Sequence, residues 1–295
     1  MIDNGLLVQM ILGALLGLSV YLPMAAGQLS LATPAFYAVG GTLAALLSTQ
    51  GEPQASISLG AVLGEMVLAA ALTAALAVLV GLPVLRLRGI YLAIATIALV
   101  EIVRVAILNL PFTGGATGIF GIPQPFQEPF GYIWLSGGLL AVCGWLFQRL
   151  EASRLGRSMA AVREDELASR CMGIQTTRVK LTAFVASAVL AGITGVIAAH
   201  YLNTWNARQG SFDVAITTLA FVILGGSRSW LGPVIGGLML TALPELLRPV
   251  GDLRLVLFGL VILLGPVFFP QGLITPGLLE RLGRLGERAE REPQP

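Results

Sequence analysis

The stretch LGAVLGEMVLAAALTAALAVLVGLP, residues 59–83, is apolar over almost its whole length. A bilayer core takes about 20 apolar residues of helix, so this segment is too long for the core helix of a soluble domain and reads as a transmembrane helix. The same measure applied outward gives about nine spans, near 6–22, 27–48, 59–83, 89–108, 131–148, 179–201, 213–227, 232–247 and 253–269. The expected fold is all-α, a polytopic transmembrane bundle of eight to ten spans. Residues 1–279 are expected to form one membrane domain, with a polar loop over about 149–180 and a charged tail over 280–295.

Composition agrees. Of 295 residues, 56% are hydrophobic and 12% charged, and the mean hydropathy is +0.83, whereas an average soluble domain is about 25% charged. Too few charges remain to clothe a soluble fold, so membrane lipid is expected to cover much of the surface. A net charge of +2, with the positive residues in loops, gives no footprint for nucleic acid. Residues Met1–Asn4 lack the positive start of a secretory signal, so the first span is expected to remain.

Basic residues orient the chain. The loop from Gln148 to Lys180 carries Arg149, Arg154, Arg157, Arg163, Arg170, Arg178 and Lys180, which places it in the cytoplasm. Counting spans from there puts Arg86, Arg88, Arg228 and the 281–291 tail on the same side, with the N-terminus outside; Arg248 and Arg254 conflict. The second span contains Gly27, Pro34, Gly40 and Gly41. Such breaks are tolerated at membrane depth only against other protein or a cavity, so this span belongs in the bundle interior. Residues 109–131 carry too many glycines and prolines for a helix and are expected to form an ordered loop or re-entrant element.

The chemistry-bearing motifs are few. Phosphate-loop, dinucleotide-fold and metal-spaced His/Cys patterns are all missing, so no cofactor is expected and any ATP would be bound by another subunit. No nucleophile with a base is visible, which argues against an enzyme. The single histidine, His200, is expected at the outer end of the sixth span as an ordinary interfacial residue, and Cys143 and Cys171 as packing residues. Glu101 and Arg104 are read as the deepest charges, neutralising each other at i, i+3 spacing. They either line a solute path or fasten two helices. Thr113, Gly114, Gly115 and Gly118 either expose backbone N–H groups at a pathway mouth or form a tight turn that needs positive φ. The loop Ser153–Ile174 is either a short amphipathic helix under the membrane, ending at Gly173, or a solvated connector.

At this loop the chain resembles the LivM-like branched-chain amino acid permeases of ABC importers. Their cytoplasmic coupling helix carries a Glu-Ala-Ala-x-x-x-Gly pattern in many members. Here Leu167-Ala168-Ser169 stands three residues before Gly173, without the leading Glu, and Arg163-Glu164-Asp165-Glu166 matches the family's own form. Gly27-Gln28-Leu29-Ser30-Leu31, Leu85-Arg86-Leu87-Arg88-Gly89-Ile90-Tyr91, Glu101-Ile102-Val103-Arg104, Thr113-Gly114-Gly115-Ala116-Thr117-Gly118-Ile119, Leu224-Gly225-Gly226, Leu231-Gly232-Pro233-Val234-Ile235-Gly236 and Phe269-Pro270-Gln271-Gly272-Leu273 follow the family in order over nearly the whole chain. Arg228-Ser229-Trp230 departs from the glycine-rich turn usual there.

The resemblance implies one permease of an importer heterodimer, working with a second permease, two ATPase subunits and an external solute-binding protein, in a bacterial or archaeal plasma (inner) membrane. It implies ATPase coupling through Arg163, Glu164, Asp165, Glu166, Ala168, Ser169 and Gly173, and a pathway or gate among Gln28, Glu101, Arg104, Thr113, Gly114, Gly115 and Gly118. Branched-chain or related amino acids are the implied solutes. Urea or short amides remain open within the same architecture. An ion-coupled carrier or channel is the rival from another class, and it would place unpaired charge at midplane.

Overall fold

The computed structural model describes residues 3–49, 57–251, 253–268 and 272–273. Helices α1 (Asn4–Ala25), α2 (Thr33–Thr49), α3 (Leu59–Val84), α4 (Ile90–Asn109) and α5 (Pro129–Ala152) lead to two short helices, α6 (Arg154–Glu164) and α7 (Glu166–Cys171). The long α8 (Thr176–Leu202) is followed by α9 (Phe212–Gly225), α10 (Leu231–Leu246) and α11 (Leu253–Phe268). Each expected span holds one helix. The one sheet among the described residues is a two-residue antiparallel ladder, β1 (Ile119–Phe120) against β2 (Thr204–Trp205). The 280–295 tail and Phe269–Gln271 lie outside the described residues.

Side-chain contacts define two ends of the bundle. At the basic end, Arg88 and Lys180 both reach Glu166, Arg163 bonds Ser227 between α9 and α10, and a Cβ on Gly27 would sit 2.8 Å from Arg163 Cα. The connections after α1, α3, α5 and α9 therefore meet on one side. At the opposite end the Tyr201 hydroxyl donates to the Gly5 carbonyl at 3.0 Å, and Gln124 Nε2 donates to the Tyr201 carbonyl at 3.1 Å. Charge distribution and chain direction thus agree in placing Lys and Arg at alternate turns. Arg248, at the other end, is paired with Glu245 at 2.8 Å.

α2 lies between α3, α4 and α8, in the interior as its glycines require. Phe36 packs edge-on to Phe184 at 5.6 Å, and Gly40 faces the Gly192 carbonyl so closely that a methyl group on Gly40 would collide with it, while one on Gly192 would meet Thr73 of α3. Apolar lipid gives helices little reason to associate, so small residues that let backbones touch supply dispersion contact instead. Residues 28–32 ahead of α2 are irregular, with the Ser30 N–H donating to the Gln28 carbonyl at 3.1 Å. Their freed backbone is partly satisfied by Thr96 Oγ1, which accepts from Leu31 N at 3.0 Å.

The seventh span differs from its expected form. α9 has 14 residues, about 21 Å of helix against a core of about 30 Å. Residues 203–211 complete the crossing by turning back from the end of α8. Trp205 Nε1 donates to the Ala38 carbonyl at 3.2 Å, and Gly210 lies against Ala38 and Pro34. His200 is level with Ser48, since both side chains meet Glu65. The descent from there to Ala38 covers ten residues of α2, about 15 Å. Burial against α2 and a bordering cavity is what permits irregular backbone at this depth.

Candidate functional site

At the basic end the expected single coupling helix is two helices broken at Asp165. Its carboxylate accepts from Leu167 N at 2.8 Å and Ala168 N at 3.0 Å, capping α7 from an extended backbone. α7 ends in a Schellman turn. The Ile174 N–H donates to the Ser169 carbonyl and the Gly173 N–H to the Arg170 carbonyl, both at 3.0 Å, with Gly173 at φ 81°. α6 is amphipathic because Leu155, Met159 and Val162 share one face, and that face packs on Ala26 of the α1 end and on Val179 and Ala183 of α8.

Glu166 is the hub of this surface. It accepts from Lys180 Nζ at 2.8 Å and Arg170 Nη2 at 2.7 Å, with Arg88 Nε at 3.6 Å. Burial raises its pKa, but hydrogen bonding and charge from Lys180, followed by Arg88 and Arg170, outweigh that and hold the carboxyl below its usual range. Arg163 donates from Nη1 to the Ser227 carbonyl at 2.7 Å and from Nη2 to Ser227 Oγ at 3.3 Å. Glu151 of α5 accepts from the Tyr21 hydroxyl at 2.8 Å and from Trp230 N at 3.1 Å. The Arg228-Ser229-Trp230 turn is thereby tied to α5.

Of the acidic trio only Glu164 lacks a partner among the described residues. Ser169 faces inward. Leu167, Ala168, Cys171 and Met172 form an exposed apolar face, Met172 at 82%. Cys171 is thus not the packing residue expected, because a six-residue helix held by Ser169 must turn its other side outward; Cys143 is buried.

Toward the other end, a cavity of about 530 Å³ is lined by Glu101, Arg104, Asn206, Arg208, Ser211 and Asp213. Arg104 Nε and Nη2 both lie 2.8 Å from Glu101 Oε2, so the pair is closed within one helix and joins no second one. Glu101 and Arg104 stand about 16 Å and 21 Å along α4 from Ile90. Ala116 from the glycine-rich loop also borders the cavity. In that loop the Thr113 hydroxyl donates to the carbonyls of Ile107 and Leu110, closing the end of α4. Gly114, Gly115 and Gly118 all have positive φ, and Gly118 abuts the Trp205 carbonyl and Asn206. Of this loop only Ala116 lines the cavity; Thr113, Gly114, Gly115 and Gly118 do not. Gln28 stands apart at the α1–α2 elbow, 2% exposed, and its side-chain amide has no hydrogen-bond partner among the described residues.

His200 stands near the outer end of α8 as expected, but its side chain is not exposed there. It is fully buried, with Nε2 2.6 Å from Glu65 Oε2 and Nδ1 2.7 Å from the Pro123 carbonyl. A carbonyl only accepts, so Nδ1 carries a proton, and a second proton is held between Nε2 and the carboxylate. Ser48 Oγ donates to the other Glu65 oxygen at 2.7 Å. Among the described residues Glu65, rather than Glu101, is the buried carboxylate. Its signal in the sequence was a lone acid in an apolar span and a lone histidine with which to pair. Arg208 and Asp213 were marked only by flanking a span too short to cross alone.

Comparison with known proteins adds kinship. Residues 1–265 match the family described as branched-chain amino acid transport system, permease component. The chain is 34% identical to the high-affinity branched-chain amino acid transport system permease protein LivM of Salmonella typhimurium, over 91% of this chain and 68% of that protein. It is 28% identical to the ribose import permease protein RbsC of Escherichia coli, over 68% of this chain and 61% of that one. It is 33% identical to the permease protein LivH of Salmonella typhimurium, over 37% of this chain and 34% of that protein. No solved structure matches. With apolar helices in the expected order, six of them among the described residues long enough to cross a membrane, and a family match from residue 1 to 265, the chain is a multi-pass inner-membrane protein and belongs to the branched-chain amino acid transport system permease family.

Proposed function

We propose that this chain forms half of the translocation path of an ATP-driven importer for branched-chain or related amino acids, paired with a second permease and served by two separate ATPase subunits and an external binding protein. The basic end is then cytoplasmic. The carrying observation is the mechanical linkage of α6–α7. Arg163 fixes it to the α9–α10 turn, Gly27 seats it on the α1–α2 elbow, and Glu166 clamps it to α8 and the α3–α4 turn. The exposed Leu167–Met172 face offers an ATPase groove the apolar contact that such a linkage needs.

That geometry supports alternating access as the mode of transport. Closure of the ATPases displaces α7, and the three ties carry the displacement to elbows flanking the bundle interior. A displacement shifts the equilibrium only if the contacts differ in the two states, and the turns at Gly27 and Ser227 are the elements able to rearrange. The test is uptake of labelled leucine and urea in parallel by proteoliposomes holding this chain with its partners, with and without internal ATP and the binding protein. ATP-dependent leucine uptake supports the reading. ATP-dependent urea uptake keeps the mechanism and replaces the solute, and uptake by this chain alone on an ion gradient rejects both.

A further inference from the structure

Arg208 and Asp213 line the same cavity, beside the outer half of α4, and neither makes an ion pair among the described residues. Glu101 and Arg104 in the same wall satisfy each other. The cavity therefore presents one uncompensated cation and one uncompensated anion at a depth where charges facing hydrocarbon are costly and charges facing a water-filled path are functional. Asp213 also borders a second cavity of about 340 Å³, whose walls include Leu12, Leu16, Leu202, Val214 and Phe221. Asp213 thus borders both a polar and an apolar cavity, and it and Arg208 are exposed at the cavity surface.

We infer that these two chambers form a receiving site for an aliphatic α-amino acid. Asp213 takes the α-ammonium, Arg208 takes the α-carboxylate, and the branched side chain enters the apolar chamber. The inference rests on the amino-acid reading above and adds to it the residues that recognise the zwitterion. A neutral amide or sugar satisfies neither charge, while an α-amino acid satisfies both and leaves its hydrocarbon for the Leu12–Phe221 wall. The re-entrant residues 203–211 carry Arg208 down to the level at which α9 begins, and this brings the two charges into one cavity. The site is built by the descent.

The test uses the assembled transporter in proteoliposomes. Arg208→Gln and Asp213→Asn should each lower ATP-dependent leucine uptake at least tenfold, with ATP hydrolysis and subunit stoichiometry kept, and Arg208→Lys should recover part of the loss. A second measurement serves if either variant fails to assemble. With Cys143→Ala and Cys171→Ser in place, a cysteine at Thr217, on the apolar wall, should react with a maleimide several-fold more slowly in the presence of leucine and at an unchanged rate with ribose. Wild-type uptake of leucine together with unaffected variants, or labelling indifferent to leucine, overturns the site and leaves the amino-acid reading standing. A wild-type complex that takes up no amino acid overturns the reading itself.

Discussion

The two charged regions of this protein handle charge in opposite ways. At the basic end Glu166 is shared by Lys180, Arg170 and Arg88, Asp165 is spent on a helix cap, and Arg163 is bonded to Ser227. In the upper cavity Glu101 and Arg104 are closed on themselves, and Arg208 and Asp213 stand open. Satisfied charges hold elements in fixed relation and so transmit a push. Open charges have interaction energy left for a ligand. On the proposed reading, fasteners at one end and receivers at the other suit a bundle driven from below and loaded from above.

The widest break in that comparison should come from Arg163→Ala. It removes charge-assisted hydrogen bonds worth about 1.5–3 kcal/mol between α6 and the α9–α10 turn. Leucine uptake should fall tenfold or more while hydrolysis by the reconstituted complex continues; an unchanged ratio of uptake to hydrolysis would show that Ser227 carries no coupling. Next in size is Leu167→Asp with Met172→Asp, which places charge on the exposed face of α7. Co-purification of the ATPase subunits should drop several-fold, with the permease pair still intact by size-exclusion chromatography.

A smaller effect is expected from Glu166→Gln, about 1.5 kcal/mol of thermal stability at neutral pH. The direction with pH follows from its lowered pKa. A carboxyl whose pKa falls on folding stabilises above its unfolded value and loses that contribution as pH falls through the folded value. Wild type should therefore lose stability on acidification below the usual carboxylate range, and Glu166→Gln should lack that limb. An identical acid limb in both proteins would assign it to another group. The smallest change should be Glu101→Gln, because a self-paired i, i+3 couple is worth about 0.2–0.5 kcal/mol. Uptake is expected to stay within about twofold of wild type on that scale, and loss of transport with full assembly would move Glu101 from wall to ligand contact.

The sequence was read most surely where one physical rule acts alone. Apolar length marked residues 59–83 as a span, and Lys and Arg in loops marked alternate turns as one basic end, because both depend on composition near a single helix. The glycines of the second span announced its interior place, since freed backbone cannot face lipid. Gly173 announced a helix end for a local reason as well. The break at Asp165 went unread because the acidic trio looks uniform in sequence, and only backbone geometry separates a cap from a clamp from a free charge.

Charge partners were the part the chain alone could not declare. Glu65 meets His200 across 135 positions, and Arg163 meets Ser227 across 64. No periodicity links residues so far apart. The descent of residues 203–211 is equally non-local: Trp205 and Gly210 fold back only because Ala38 and Gly41 of α2 leave room for them. Hydrophobicity, which is additive along the chain, let the sequence determine that this protein is a polytopic helical membrane bundle with a basic end. Which charges are spent and which remain open was decided by tertiary structure, because pairing depends on distances that exist only once the helices pack.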